Sequence, residues 1–165
     1  MIVIGLTGSL AMGKSTVAAM LREAGAPVFD SDEAVHLLYR GADAAEIEQA
    51  FPGVTIDGVV DRGRLAEKVL NDPAAFARLE AIVHPKVAAA RDQFLQRAAQ
   101  AGRRVAVADI PLLFESSAEK SVDLVVVVSA PESVQKARAL SREGMTEKRF
   151  AAIVAKQMPD SEKRR

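Results

Sequence analysis

Cysteine is absent from the 165 residues, which excludes disulfides, thiolate metal sites and a cysteine nucleophile. An excess of one charge is absent too. Twenty-two Lys+Arg balance 22 Asp+Glu, so no overall basic field invites nucleic acid and no acidic tail solvates the chain. Long apolar runs are also missing: the longest wholly apolar stretches are five or six residues, as at 124–128, against the roughly 20 that a membrane helix needs. The first residues, Met1-Ile2-Val3-Ile4-Gly5-Leu6, carry neither a basic leader nor an extended apolar segment and do not read as a secretion signal. No period of about 20–50 residues repeats, so a solenoid is not expected. What is present is 49% apolar and 27% charged, the mix of a soluble chain of cytoplasmic type. The length suits one domain, or one domain with a modest insert.

β-type and α-type patterns alternate along the chain. Ile2 to Leu6 is a short apolar run ending in Thr7-Gly8 and reads as a buried strand. Val17, Met20 and Leu21 recur at helical spacing between Lys14 and Glu23, and Gly25 stops that helix. Ala26 to Asp30 reads as a second strand, and Ser31 caps a helix with Asp32 and Glu33 in its first turn, ending near Gly41. Between about 42 and 100 the pattern is mostly helical, with breaks expected at Pro52-Gly53, Asp57-Gly58, Asn71-Asp72-Pro73 and His84-Pro85. Arg104 to Asp109 and Val122 to Ser129 are β-branched runs of the parallel-sheet kind. Pro131 opens a helix reaching Arg142, Glu143-Gly144 breaks it, and Thr146 caps another to about Gln157. The order predicts a parallel α/β sheet with a helical subdomain spliced in, its strand carboxyl ends on one ligand-binding edge.

Gly8-Ser9-Leu10-Ala11-Met12-Gly13-Lys14-Ser15-Thr16 matches the phosphate-loop pattern G-x-x-x-x-G-K-[ST]. By chance it recurs in a chain of this size at about the one-percent level given ordinary glycine usage. Here a strand precedes it and an amphipathic helix follows. Gly8 is expected to leave the strand in a conformation that side chains resist, and Gly13 to let the backbone close on a phosphate. Backbone N–H groups then form an anion nest at the positive end of the following helix. Gly8, Ala11, Met12, Gly13, Lys14, Ser15 and Thr16 are thus the expected contacts of ATP. Lys14 would reach the β- and γ-phosphates, and Ser15 would complete a Mg²⁺ shell.

Other classes with this loop fail on missing residues. The only asparagine, Asn71, precedes Asp72, so N-K-x-D does not exist here, and no aspartate has glycine three positions later. An L-S-G-G-Q signature is absent, and the chain is short for a recombinase or helicase core. A small kinase of a metabolite or nucleotide remains, with the three-layer α/β/α phosphate-loop NTPase fold of the nucleoside-monophosphate-kinase type. Arg138 and Arg142 lie four apart on one expected helix face. They are either a solvated charged face or lid cations for the transferring phosphoryl group, with Arg142 the favoured phosphate contact. Asp109 ends a strand, either as a cap or as a Mg²⁺ ligand.

The chain resembles the dephospho-coenzyme A kinase family in four blocks: Gly5-Leu6-Thr7-Gly8 with the loop, Asp30-Ser31-Asp32, His84-Pro85, and Asp109-Ile110-Pro111-Leu112-Leu113-Phe114-Glu115. Gln135, Arg138 and Arg142 resemble its Q-x-x-R-x-x-x-R helix, and 157–165 its last helix. The resemblance implies ATP-dependent phosphorylation of the ribose 3′-hydroxyl of dephospho-coenzyme A, the closing step of coenzyme A synthesis. Asp32 would be the base beside that hydroxyl, otherwise an ordinary first-turn acid. Pro111, Leu112, Leu113 and Glu115 would wall the acceptor site, otherwise plain core, and His84 would contact it, otherwise cap a turn; His36 reads as scaffold. Residues 1–35 and 101–130 would form the nucleotide core, 36–100 the acceptor-binding insert and 131–165 the lid. A monomer or weak homo-oligomer is expected. The alternative acceptor is a nucleoside, nucleotide or small polyol; a regulatory nucleotide-binding protein is the alternative from another class.

The sequence departs from the family at two points. Position 11 is Ala where many members have glycine, and a positive φ there would cost roughly 1 kcal/mol or more. The family continues with a fifth strand, an adenine-facing loop and a terminal helix, so one face of the sheet is expected to lie uncovered and the adenine pocket half-built.

Overall fold

A computed structural model describes residues 1–165, with strands β1 (Ile2–Thr7), β2 (Val28–Asp30), β3 (Thr55–Ile56), β4 (Val59–Val60), β5 (Val105–Asp109) and β6 (Leu124–Val127). The helices are α1 (Lys14–Glu23), α2 (Ser31–Leu38), α3 (Ala44–Ala50), α4 (Arg62–Val69), α5 (Pro73–Gln100), α6 (Glu132–Leu140), α7 (Glu147–Val154) and α8 (Asp160–Lys163). Two compact units result: residues 1–30 with 95–165, and residues 31–94. No helix is long and apolar enough to cross a membrane.

The first unit is built on the parallel sheet that the β-branched runs predict, in the order β2-β5-β1-β6. Every pairing in it is parallel, with Leu6 opposite Asp109 and Thr7 opposite Val127. The central strands β1 and β5 bury Leu6, Ala106, Val107 and Ala108, and Ala18 of α1 packs against Leu6 and Val107. β6 is an edge strand on which Leu124, Val125 and Val126 are exposed. Residues 131–165 belong to this same unit. α6 starts after Pro131, its N-cap, and ends at Leu140, two residues short of Arg142, with Ser141 at its C-cap. α7 starts where Thr146 accepts a hydrogen bond from the Arg149 N–H, as the sequence predicts, but ends at Val154 rather than Gln157.

The second unit has its own core of Leu38, Ile47, Phe51, Val54, Val60, Leu65, Val69, Leu79 and Val83. Asp57 and Gly58 break the helical pattern as expected, but by making a hairpin. With φ of 50° and 76° they form the two-residue turn that joins β3 to β4, the geometry an Asp-Gly pair favours. Asp72 caps α5 by accepting from the N–H groups of Ala74 and Ala75, and Pro73 takes the first helical position. The expected break at His84-Pro85 does not occur: α5 runs through Pro85. An interior proline costs about 3 kcal/mol through the lost N–H and the ring clash. Leu79, Ile82, Val83 and Val87 pack along one face of the same helix onto the core, and that burial offsets the cost.

Candidate functional site

The phosphate loop, residues 8–13, leaves β1 and enters α1, and each end meets a different constraint. Gly13 caps α1 at φ 101°, a backbone state that side chains avoid, and it offers no side-chain cap. The N–H groups of Gly13, Lys14 and Ser15 are therefore those a helix start leaves for an outside acceptor, at the positive end of the helix dipole. Gly8 differs from expectation, since its φ is not positive. A Cβ at Gly8 would stand 2.7 Å from the Val128 carbonyl oxygen, so glycine is needed for close approach to the chain leaving β6. Ala11 does adopt positive φ, 60°, and is buried, so the strain anticipated from the sequence is present.

Strand ends supply the charges. Asp109, the last residue of β5, is 2% exposed, and its Oδ1 lies 2.5 Å from the Lys14 ammonium. Ser15 and Thr16 are exposed in the first turn of α1. The Ser15 hydroxyl and the Asp109 carboxylate are hard oxygen donors of the kind Mg²⁺ takes. Arg138 reaches the loop from α6: a Cβ on Gly13 would be 3.4 Å from its Nη1. Arg142 is exposed in the turn after α6, so the two arginines do not share a helix face. Of the pair, the structure brings Arg138 to the loop, where the sequence reading favoured Arg142.

The loop is also held from behind by residues that motif spacing did not single out as site residues. The Leu10 N–H donates to Gln157 Oε1 at 3.0 Å, and its carbonyl accepts from Gln135 Nε2 at 2.8 Å. The Met12 sulfur accepts from the Ala130 N–H at 3.1 Å. No local signal finds Gln157, because its partner is 147 residues away.

The segment after β5 serves the fold more than expected. The Pro111 carbonyl accepts from the buried Thr7 hydroxyl. Leu113 is fully buried and lies over Gly5, where an added Cβ would come within 3.0 Å of Leu113 Cδ1. Leu113 is therefore core rather than acceptor wall. Leu112 is exposed. The Glu115 carboxylate accepts from the Met158 N–H at 2.8 Å and stands 2.9 Å from the ammonium of Lys163, whose side chain is 0% exposed. Burial favours the protonated acid, but the Lys163 ammonium and the Met158 N–H outweigh it and hold the Glu115 pKa below its ordinary value.

In the second unit Asp32 is exposed in the first turn of α2, which starts directly after β2. His84 is exposed on α5, 3.8 Å from Glu80 one turn back, and caps nothing. His36 does more than expected of scaffold, since its Nδ1 is 3.2 Å from an Arg62 amino nitrogen. The Arg62 guanidinium also lies 5.9 Å from the centre of the Tyr39 ring. Burial raises the Tyr39 pKa, with Arg62 pulling the other way. Arg62 is thus a cation held by an imidazole and a ring.

The chain matches the family model described as CoaE: Dephospho-CoA kinase over residues 2–165. It is 61% identical over 165 residues to a protein named dephospho-CoA kinase from Mesorhizobium japonicum, covering 100% of this chain and 84% of that one. A protein of the same name from Brucella melitensis biotype 1 is 52% identical over 164 residues, covering 99% and 82%. Among solved structures, a Thermus thermophilus protein superposes with a TM-score of 0.85 at 37% identity, covering 99% of this chain and 83% of that one. Dephospho-CoA kinase from Campylobacter jejuni shares the fold at a TM-score of 0.65 and 24% identity, covering 98% and 82%.

Proposed function

This chain belongs to the dephospho-CoA kinase family, and on that premise we propose that it transfers the γ-phosphoryl group of ATP to the ribose 3′-hydroxyl of dephospho-CoA, giving coenzyme A and ADP. The observation that carries the chemistry is the meeting of three groups at the carboxyl ends of β1 and β5: the uncapped start of α1, Lys14 paired with Asp109, and Arg138 beside Gly13. The N–H groups of Gly13, Lys14 and Ser15 bind phosphate oxygens. The Lys14 ammonium moves from Asp109 onto the β- and γ-phosphates, and Arg138 offsets the charge on the transferring group. Asp32 takes the proton of the 3′-hydroxyl as its oxygen bonds to phosphorus and the bond to the β-phosphate breaks, leaving ADP. Ser15 and Asp109 would hold Mg²⁺, which when bound neutralises phosphate charge.

Several residues of the second unit suit an acceptor with phosphates of its own. Arg62 is a fixed cation, oriented by His36 and Tyr39, that fits one of those phosphates. The reading is that of a cytoplasmic enzyme acting on small molecules.

A mass-spectrometric product assay with Mg²⁺-ATP and dephospho-CoA tests this reading, with Lys14→Ala as control. The parent forms coenzyme A and the control does not. Asp32→Asn keeps the fold while kcat falls by roughly 10²–10⁴, the usual worth of a positioned base. A folded parent that phosphorylates a nucleoside or polyol but not dephospho-CoA would overturn the acceptor assignment.

A further inference from the structure

Glu115 ends the segment that the sequence assigns to the acceptor, yet its contacts lead to the nucleotide. Its carboxylate accepts from the Met158 N–H and pairs with the buried Lys163 ammonium. The residue before Met158 is Gln157, whose amide oxygen accepts from the Leu10 N–H. Leu10 is the third residue of the phosphate loop, and its carbonyl is taken by the buried Gln135. Both backbone groups of Leu10 are therefore gripped by side-chain amides, and one of those amides belongs to the residue next to Met158, whose N–H Glu115 accepts.

We propose that Glu115, Lys163 and Gln157 are positioning residues for the nucleotide: the Glu115–Lys163 pair fixes residues 157–158, and Gln157 then holds Leu10 so that the loop presents its N–H groups to phosphate. The physical reason lies next door. Ala11 sits in a strained left-handed state, and a loop with such a residue keeps its shape only while its neighbours over-determine it. Releasing Leu10 lets Ala11 relax toward negative φ and disperses the nest that begins two residues later. The proposal rests on the phosphoryl-transfer reading above and adds which residues shape its ATP site.

Binding of Mg²⁺-ADP by calorimetry, set beside steady-state kinetics with dephospho-CoA on the full chain, tests the proposal. Gln157→Met, which keeps bulk but offers no oxygen acceptor, raises the Kd for Mg²⁺-ADP roughly three- to tenfold, the worth of one part-buried hydrogen bond. The KM for dephospho-CoA stays within about twofold, since the proposal puts the Leu10 grip to work on the nucleotide alone. Gln157→Glu retains an acceptor oxygen and recovers most of the nucleotide affinity. Glu115→Gln strands the Lys163 ammonium and shows the same Mg²⁺-ADP defect. Adding Lys163→Met removes the stranded charge but leaves residues 157–158 without the ion pair, so the Mg²⁺-ADP defect persists; full restoration would overturn the positioning role of the pair. If either Glu115 variant does not fold, the Gln157 pair decides alone. Unchanged Mg²⁺-ADP binding by Gln157→Met overturns the proposal, as does a defect confined to the KM for dephospho-CoA. A parent that binds Mg²⁺-ADP yet never phosphorylates dephospho-CoA would instead sink the acceptor assignment, leaving the nucleotide comparison readable.

Discussion

Gly8→Ala tests why a phosphate loop must start with glycine in this fold. Gly8 does not have positive φ, so alanine meets no torsional penalty there. The obstacle is contact: the new Cβ would lie 2.7 Å from the Val128 carbonyl oxygen and 3.3 Å from Val128 Cβ. That carbonyl belongs to the chain leaving β6, where the Val128 N–H donates to the Thr7 carbonyl at 2.8 Å, so it cannot swing away without breaking the β1–β6 ladder. Overpacking of this kind costs about 1–3 kcal/mol. For a chain of this size that corresponds to a fall in Tm of roughly 2–12 °C, at about 2–4 °C per kcal/mol. Thermal unfolding followed by circular dichroism measures the fall, and Mg²⁺-ADP titration shows whether the loop moved with the strand. Val128→Ala added to Gly8→Ala gives no rescue, because the clash is with backbone. Full rescue by Val128→Ala, or a Tm unchanged within a degree together with parental ADP affinity, would refute the contact argument.

Ala11→Gly relieves a left-handed strain of about 1–2 kcal/mol, but loses a buried methyl worth about 0.8 kcal/mol and gains unfolded-chain entropy worth about 0.4–1 kcal/mol. Global stability by urea unfolding therefore stays within about 1 kcal/mol of the parent; a larger change shows that φ at position 11 is not what limits the loop. Glu115 has a folded pKa below its ordinary value near 4.5, so its stabilising effect is complete above about pH 4.5 and is lost as pH falls through the lowered folded value. Glu115→Gln should accordingly be less stable than the parent at neutral pH and show a flatter decline in acid; parallel pH–stability curves would contradict the ion pair. Asp61 caps α4 by accepting from the Arg64 N–H at 2.9 Å. Asp61→Ala should cost about 1 kcal/mol of stability in denaturant titration, and a loss below about 0.3 kcal/mol would mean the cap is not formed in solution.

Much of the site was legible because its chemistry is local. The phosphate loop is a contiguous spacing of glycines, lysine and serine, and the strand before it and helix after it follow from hydrophobic period alone. The first-turn carboxylate of Asp32, the Asp72 and Thr146 caps and the Asp57-Gly58 turn are likewise decided within a few residues of themselves. Where local signs misled, a competing packing force had won. Pro85 reads as a break, but burial of Leu79, Val83 and their neighbours carries α5 across it. Leu113 reads as a site wall beside Leu112, but it packs down over Gly5 in the core while Leu112 is left exposed.

The fold class, the parallel strand runs, the nucleotide loop and the family are written in residue types at short fixed spacing. What holds that loop in shape comes from packing between distant segments. Gly8 meets a carbonyl 120 residues on, Leu10 is gripped by Gln135 and Gln157, and Arg138 rather than Arg142 reaches Gly13. Glu115 faces a buried lysine across 48 positions of sequence. Such pairings depend on how strands and helices pack, and a side chain's own sequence neighbours carry no record of the partner that packing brings to it.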